Sequence, residues 1–280
     1  MSTPIAETSR TLRDVGGQIL LVGAGKMGGA LLDGWLSLGL DPRNLAVLEP
    51  QPSPEIAGQA GKGVRLNPDP ATVQAAAVVI AVKPQAAPDA VPALAALARR
   101  AVVISIMAGR TLGFLERLLG GETAAVRAMP NTPAAIGRGI TVAVANAQVS
   151  AAQRDLADRL LAATGSVEWV EDEGLIDAVT AVSGSGPAYV FLLAESLARA
   201  GVAAGLPAGL AAKLARETVA GSGELLHRSP LDPGILRERV TSPGGTTAAA
   251  LEVLMGADGL DGLLQRAVAA ATRRSRELAG

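Results

Sequence analysis

Two segments of the chain combine glycine with hydroxyl side chains and contain no charged residue. Residues 242–247 read SPGGTT and precede a predicted helix at 248–254, and residues 183–187 read SGSGP. The first N–H groups of a helix have no acceptor within it, so a glycine-rich turn at this position can bind a carboxylate or a phosphate. In the alternative interpretation, Thr246 or Thr247 only caps the helix.

A third glycine-rich segment lies near the start of the chain. Residues 23–28 read GAGKMG and lie between a predicted buried strand at 18–22 and a predicted helix at 27–38. This is the G-x-G-x-x-G pattern in its strand–turn–helix context. The first glycine permits a tight turn, the second lets a pyrophosphate approach the backbone, and the third lets the helix pack on the strand. The pattern predicts dinucleotide binding.

An acidic residue follows the second predicted strand, at 44–48. Glu49 comes 21 residues after Gly28, where a carboxylate would accept hydrogen bonds from the ribose hydroxyls of the adenosine. A carboxylate at that position would repel a 2′-phosphate, which favours NADH over NADPH. The alternative is an acid in a solvated loop.

Two further predicted strands end in stiff, polar loops. Residues 82–84 read VKP and close a strand at 77–82, and residues 129–133 read MPNTP and follow a strand at 123–128. Ligands of parallel sheets bind at the carboxyl ends of strands, so both loops are candidates for a pocket wall. Lys83 is equally compatible with an ordinary surface position.

The order of elements predicts two domains. Near-continuous apolar strands that alternate with helices are typical of a mostly parallel, doubly wound sheet covered on both faces. Later strands are predicted at 102–106, 141–145 and 166–170, with a helix at 151–163. We therefore expect a flexible tail at 1–17, an α/β Rossmann domain at 18–170 and an all-α domain at 171–280.

The all-α domain is unusually apolar. Its predicted helices, several with little polar face, are 175–182, 187–204, 207–227, 235–240, 247–254 and 260–278. A helix that is apolar on most sides is buried, and about 110 residues cannot bury so many such faces alone. We expect these helices to form a homodimer interface.

Composition excludes several classes of protein. The chain has 25 Lys and Arg against 26 Asp and Glu, and 2% aromatic residues, which argues against a nucleic-acid partner. It has no Cys and a single His, so we expect neither a metal site nor a Ser-His-Asp triad. Residues 1–17 do not resemble a secretory signal, and no apolar run reaches about 18 residues. These features predict a cytoplasmic protein without a membrane span.

Taken together, the motifs resemble those of the pyrroline-5-carboxylate reductase family, which reduces a cyclic imine to L-proline. The resemblance covers roughly residues 18–278 and is most specific in the last two motifs. The motifs that carry it lie at 23–28, 82–84, 129–133, 183–189 and 240–247.

The resemblance implies a helical domain that interlocks with its twin in a homodimer, and dimers that can assemble further. It also implies the binding residues. The cofactor, NADPH or NADH, would contact Gly23, Ala24, Gly25, Lys26, Met27, Gly28, Glu49, Asp69, Ala81, Val82, Lys83, Pro84, Ala128, Met129 and Asn131. The substrate would contact Glu173, Ser183, Gly244, Gly245, Thr246 and Thr247, with Thr247 as the catalytic residue near the imine nitrogen.

Two positions depart from the family pattern. Glu49 stands where relatives commonly carry a small hydroxyl residue, and Asp69 stands where relatives often carry an Asn that contacts the cofactor. Among the serines, we expect Ser185 to cap the helix at Pro187, while Ser183 is left open between a substrate contact and a cap.

The expected chemistry fits a site without a histidine base. A protonated C=N bond is already electrophilic and the cofactor supplies the hydride, so the protein has only to orient the reactants and hold the carboxylate. One alternative is another Rossmann reductase, such as a β-hydroxyacid dehydrogenase, which would need a catalytic Lys in the helical half, where only Lys213 occurs. The other is a non-catalytic NAD(P)H-binding sensor.

Overall fold

The computed structural model describes residues 11–279 of the 280-residue chain. The chain divides into two compact units: a sheet unit, residues 11–184 with 273–279, and a helical unit, residues 185–272. Packing therefore places residues 171–184 and the end of the last helix with the sheet, whereas the sequence predicted a boundary after residue 170.

The sheet has eight strands. They are β1 (Gln18–Val22), β2 (Leu45–Leu48), β3 (Arg65–Leu66), β4 (Ala75–Ile80), β5 (Val102–Ser105), β6 (Ala125–Met129), β7 (Gly139–Ala145) and β8 (Gly165–Trp169). Their order is β3-β2-β1-β4-β5-β6-β7-β8, and only the β6–β7 pair is antiparallel. The predicted mostly parallel, doubly wound sheet is confirmed, and the carboxyl ends of β1–β6 share one edge.

Helices cover both faces of this sheet. They are α1 (Lys26–Ser37), α2 (Pro54–Gly58), α3 (Ala87–Ala90), α4 (Ala95–Ala98), α5 (Leu112–Leu119), α6 (Ala151–Leu161) and α7 (Ile176–Val179). Alternate residues of β1 enter two separate cores: Ile19 and Leu21 pack in one, Leu20 and Val22 in the other. Burial on both faces is the reason that this strand is a continuous apolar run.

The predicted flexible tail is wrong over residues 11–17; residues 1–10 lie outside the described part of the chain. The side chains of Leu12 and Val15 are buried in the core that contains Ile19. The Leu12 N–H donates to the carbonyl oxygen of Leu38 at 2.9 Å. Asp14 pairs with Arg159, whose hydrogen bond lowers the pKa of that carboxyl. Leu12 and Val15 are only two apolar side chains in a short segment, and such a pair is a weak sequence signal. For this reason the sequence analysis missed the packing of the segment.

The helical unit contains little core of its own. Its helices are α8 (Gly186–Ala203), α9 (Ala208–Arg228), α10 (Pro233–Arg239), α11 (Thr246–Leu254) and most of α12 (Leu260–Ala279). Among the apolar side chains of residues 185–272, only those of Ala211 and Ala215 are buried. The end of α12 belongs to the sheet unit, where the Ser275 hydroxyl donates to Asp177 Oδ1 at 2.6 Å.

One helical stretch of the described chain has the length and composition of a membrane-crossing helix. It spans Glu173–Ala203, and an 18-residue window within it has a mean hydropathy of 1.3 and is 11% buried. The sequence analysis predicted no such stretch. An exposed apolar helix of this kind is also typical of a surface that packs on a protein partner. The cytoplasmic location stays a prediction.

We predict that Leu12→Ala lowers the free energy of unfolding by about 2–5 kcal/mol, because it leaves a cavity in the core. Urea unfolding at a fixed protein concentration measures the change. The matched control is Thr11→Ala, an exposed neighbour, which should change stability by less than about 0.5 kcal/mol. Equal effects of the two substitutions would show that the segment 11–17 is not part of the core.

Candidate active site

The carboxyl edge of β1–β6 brings together the segments predicted to bind the cofactor. Residues 23–28 follow β1, Glu49 follows β2, residues 81–84 follow β4, and residues 130–131 follow β6. Because these strands are parallel, the loops that follow them lie along one side of the sheet. The sheet unit therefore has a single edge where a dinucleotide can contact several backbone loops.

The turn after β1 requires glycine for steric reasons. Gly23 has φ +91°, and a Cβ there would lie 2.9 Å from the Ala81 carbonyl carbon and from the Val82 nitrogen. A Cβ on Gly28 would overlap the carbonyl oxygen of Gly23, so α1 starts directly against the turn. Around Gly25 the space is open, with no atom within 4 Å of a Cβ position. This arrangement fits a pyrophosphate beside the exposed backbone at Gly25 and the start of α1.

Glu49 is bonded to the glycine turn. Its Oε2 accepts the Ala24 N–H at 2.9 Å and its Oε1 accepts the Gln51 N–H at 3.1 Å. The side-chain amide of Asn67 holds the backbone of Glu49 from both sides, accepting its N–H at 2.8 Å and donating to its carbonyl at 3.0 Å. Asn67 has φ +46°, and the sequence analysis missed it. The acid is thus fixed by hydrogen bonds at the carboxyl edge of the sheet.

The loop that begins at Glu49 is acidic. Residues 49–55 read EPQPSPE and contain no Lys or Arg. A hydrogen bond from the Ser53 side chain lowers the pKa of Glu55, which keeps this second carboxyl ionised. Arg43 lies before β2 and pairs with Asp41 at 2.6 Å, which lowers the pKa of Asp41 to about 2. A phosphate at this loop would meet negative charge.

The loop after β4 is braced by an arginine that the sequence analysis did not identify. The Ala81 N–H donates to the Val22 carbonyl at 2.7 Å, which continues the ladder one residue past the strand. Arg110 donates to the Pro84 carbonyl through Nε and Nη2, at 3.2 and 2.9 Å, and its guanidinium lies over the Phe114 ring. The Lys83 side chain is exposed. The predicted strand 77–82 ends at Ile80 because this turn follows.

The loop after β6 is also held from neighbouring elements. Asn131 Oδ1 accepts the Ile140 N–H at 3.0 Å, and the Met129 side chain lies against Gly184. Asp69, on the loop after β3, accepts the Ala71 N–H at 2.9 Å and is exposed. Its predicted contact with the cofactor stays a prediction.

Glu173, predicted to contact substrate, has two partners in the sheet unit. Its Oε1 accepts the Leu112 N–H at 2.8 Å and a hydrogen bond from Arg127 Nη1 at 2.8 Å. The Arg127 side chain is 5% exposed and the Glu173 side chain 30%. Arg127 was missed by the sequence analysis, although a single charge inside an apolar strand was a usable signal.

The two serines of the SGSGP segment have different environments. Ser183 lies in a π-helical turn, Thr180–Gly184, and its hydroxyl donates to the Val179 carbonyl at 3.0 Å. Ser185 occupies the N-cap position of α8 with helical backbone angles and forms no capping hydrogen bond. The prediction that Ser185 caps this helix is wrong, because the preceding π-helical turn runs directly into α8.

In the helical unit, the SPGGTT segment leaves the start of α11 open. Gly245 is the N-cap residue and Thr246 is the first helical residue, and no side chain caps the helix. The alternative in which Thr246 or Thr247 serves only as the cap is therefore not observed. Within residues 11–279, no hydrogen bond to the N–H of Thr246 or Thr247 is present, and both groups remain available to a carboxylate. Gly244 has φ +69° and forms the turn into this start.

Within the described residues, no group of three or more His, Asp and Glu side chains is placed to hold a metal ion. The candidate residues of the sheet unit offer backbone N–H groups and carboxylates, and those at the start of α11 offer N–H groups and hydroxyls.

Two known protein families match separate parts of the chain. The family described as "Pyrroline-5-carboxylate reductase dimerisation" matches residues 173–278. The family described as "NADP oxidoreductase coenzyme F420-dependent" matches residues 18–109.

Individual relatives agree with these two families. A pyrroline-5-carboxylate reductase of Pseudomonas aeruginosa is 42% identical, covering 94% of this chain and 97% of the relative. The structure of a pyrroline-5-carboxylate reductase from Coxiella burnetii is similar, with a TM-score of 0.87, 34% identity and coverage of 94% and 99% of the two chains. A pyrroline carboxylate reductase of Plasmodium falciparum, solved with NADP bound, has a TM-score of 0.79 and 29% identity over 95% and 99%. This sequence identity over nearly the whole chain shows that the chain belongs to the pyrroline-5-carboxylate reductase family. The glycine turn and the uncapped start of the SPGGTT helix agree with that assignment.

Proposed function

We propose that this chain reduces the cyclic imine 1-pyrroline-5-carboxylate to L-proline with NAD(P)H, the last step of proline biosynthesis. The proposal is supported by the sequence identity of 42% to a pyrroline-5-carboxylate reductase, which covers 94% of this chain. The observation that supports it is the start of α11, where the N–H groups and hydroxyls of Thr246 and Thr247 have no hydrogen-bond partner among residues 11–279. A small anionic amino acid requires such a neutral, N–H-rich receptor.

The cofactor edge has the groups that a dinucleotide needs. The turn 23–28 would hold the pyrophosphate, Glu49 the adenosine ribose, and the loops at 81–84 and 128–131 the remainder of the cofactor. Lys26 and Lys83 are exposed at this edge and supply positive charge. The bound cofactor supplies a hydride for the imine carbon.

The protein's own contribution is orientation and hydrogen bonding. The N–H groups of Thr246 and Thr247 would hold the substrate carboxylate, and the Thr247 hydroxyl would lie beside the ring nitrogen. A hydroxyl can both donate and accept, so it can follow the change in protonation of that nitrogen during reduction. Ser183 and Glu173 would complete the substrate contacts.

We further propose that NADH is the preferred cofactor. The 2′-phosphate of NADPH would meet Glu49, fixed by the Ala24 N–H, and the ionised Glu55. The loop 49–55 offers no cation to balance that charge. Like charges at a half-exposed site repel, whereas a carboxylate accepts the hydrogen bonds of the two ribose hydroxyls in NADH.

We also propose that the active form is a homodimer, with further assembly of dimers left as a prediction. The chain carries the dimerisation domain of its family at 173–278. In the helical unit Phe191 is 63% exposed, Leu192 56% and Val253 75%. Large apolar side chains exposed to this extent are typical of a surface that packs on a protein partner. A second copy of the chain would present the same helices to that surface.

We predict that the purified protein reduces NAD⁺ in the presence of L-proline at alkaline pH, the reverse of the proposed reaction. Thr247→Ala should lower turnover on the order of 10²-fold, because the hydroxyl beside the ring nitrogen is lost. Thr247→Ser should retain most of the activity. Steady-state kinetics in both directions measure the effect.

The matched control for this prediction is Thr272→Ala, which removes a hydroxyl bonded to the Val268 carbonyl in α12. Its activity should equal that of the unmodified protein. Absence of proline-dependent NAD⁺ reduction in the unmodified protein would contradict the proposed function. Unchanged rates in Thr247→Ala would contradict only the role of Thr247.

We predict that Glu49→Ser shifts the ratio of kcat/KM for NADPH over NADH upward by about 10- to 100-fold, because one repelling charge is removed. The control is Glu122→Ser, which removes an equal charge from an exposed position before β6, at the opposite edge of the sheet. It should leave the ratio unchanged. A ratio that favours NADPH in the unmodified protein would refute the preference.

We predict that Phe191→Glu converts the assembly to a monomer of 28.1 kDa, because a charge cannot be buried in an apolar interface without a partner. Size-exclusion chromatography with light scattering measures the mass, which for the unmodified protein should be twice that value or a multiple of it. Arg99→Glu, at an exposed position of the sheet unit, should leave the mass unchanged. A monomer of unmodified protein at micromolar concentration would exclude the homodimer.

A further inference from the structure

A buried arginine lies in the middle of the sheet. Arg127 belongs to β6 and is 4% exposed, with Ser105 of β5 and Val144 of β7 as its neighbours in register. A charged side chain in the interior is costly unless it is paired. Apolar residues of similar volume are often as stable at such positions, so stability alone does not account for an ion pair here.

The partner of Arg127 is one oxygen of Glu173. Oε1 accepts both Arg127 Nη1 and the Leu112 N–H, each at 2.8 Å. The other oxygen, Oε2, makes no hydrogen bond with residues 11–279, and the side chain is 30% exposed. The carboxylate is therefore held by one oxygen and open at the other.

The hydrogen bond from Leu112 supplements the cap of α5. The hydroxyl of Thr111, the N-cap residue, already accepts the Phe114 N–H at 3.1 Å. Glu173 adds a second acceptor at the same helix start, from a position 61 residues away along the chain. Two donors from different elements thus fix the orientation of one carboxylate.

We infer that Arg127 is a positioning residue for the reductase: it holds Oε1 of Glu173 so that Oε2 can accept the N–H of the substrate's ring nitrogen. The inference rests on the proposed function and on the proposed contact between Glu173 and substrate. A fixed carboxylate loses less side-chain entropy on binding than a free one, so a protonated imine or the amine of proline binds more tightly. The arginine itself touches neither substrate nor cofactor.

The test is a double-mutant cycle of Arg127→Met and Glu173→Gln, with Arg127→Lys as the conservative variant. We expect Arg127→Met to raise KM for pyrroline-5-carboxylate about 10- to 100-fold and to change KM for NADH by less than about 3-fold. Arg127→Lys should recover part of the loss. Since both changes affect the same contact, the double variant should bind substrate no more than about 3-fold more weakly than the worse single variant.

The matched control is Arg65→Met, which removes a partly buried arginine from β3, where it donates to Gln18 Oε1 at 2.9 Å. It should leave both KM values unchanged. Calorimetric binding of L-proline to each folded variant separates substrate affinity from losses of stability, and thermal unfolding is recorded in parallel. If Arg127→Met does not fold, the double-mutant cycle of Arg127→Lys with Glu173→Gln tests whether Arg127 acts through Glu173.

The outcomes separate the two levels of the proposal. An active unmodified protein whose Arg127 variants keep the KM for pyrroline-5-carboxylate, or whose effects add to those of Glu173→Gln, overturns the role of Arg127 alone. An unmodified protein that does not reduce pyrroline-5-carboxylate overturns the proposed function, and the inference about Arg127 with it.

Discussion

The arrangement of loops at the carboxyl edge of β1–β6 depends on the close approach of two backbone segments, at Gly23 and Ala81. With φ +91° and a Cβ position 2.9 Å from the carbonyl of Ala81, Gly23 tolerates no side chain. This approach lets the turn cross over the end of β4 and directs the Ala24 N–H towards the neighbouring β2, where Glu49 accepts it. The positions of the turn 23–28 and of Glu49 are therefore set by one steric condition.

Three loops at this edge are each held by a polar side chain that bonds to a neighbouring segment. Asn67 holds Glu49, Arg110 holds the carbonyl of Pro84, and Asn131 holds the N–H of Ile140. In every case the partner is a backbone group, so a single side chain fixes the path of the backbone. This explains how a site made mainly of loops can be ordered before a ligand binds.

The fold was largely predictable, because buried parallel strands are continuous apolar runs and the glycine turn has a defined context. The helices of the alanine-rich half were also predicted to within a few residues of their observed bounds. The short helices α2–α4 were missed, since four- and five-residue helices near prolines have no periodicity to detect, and the eight-residue helix α5 was missed as well. The partners of Glu49 and Glu173 were missed for another reason: they lie 25 and 46 residues distant along the chain, and only tertiary structure brings them together.

The last helix has a consequence for biosynthesis of the protein on the ribosome. Residues 273–279 of α12 complete the sheet unit: Ser275 bonds to Asp177, and Leu278 lies against Gly109, whose φ is +70°. These residues are translated after the entire helical unit. The Asp177 and Gly109 surfaces therefore stay uncovered until the whole helical unit has been translated and residues 273–279 follow it.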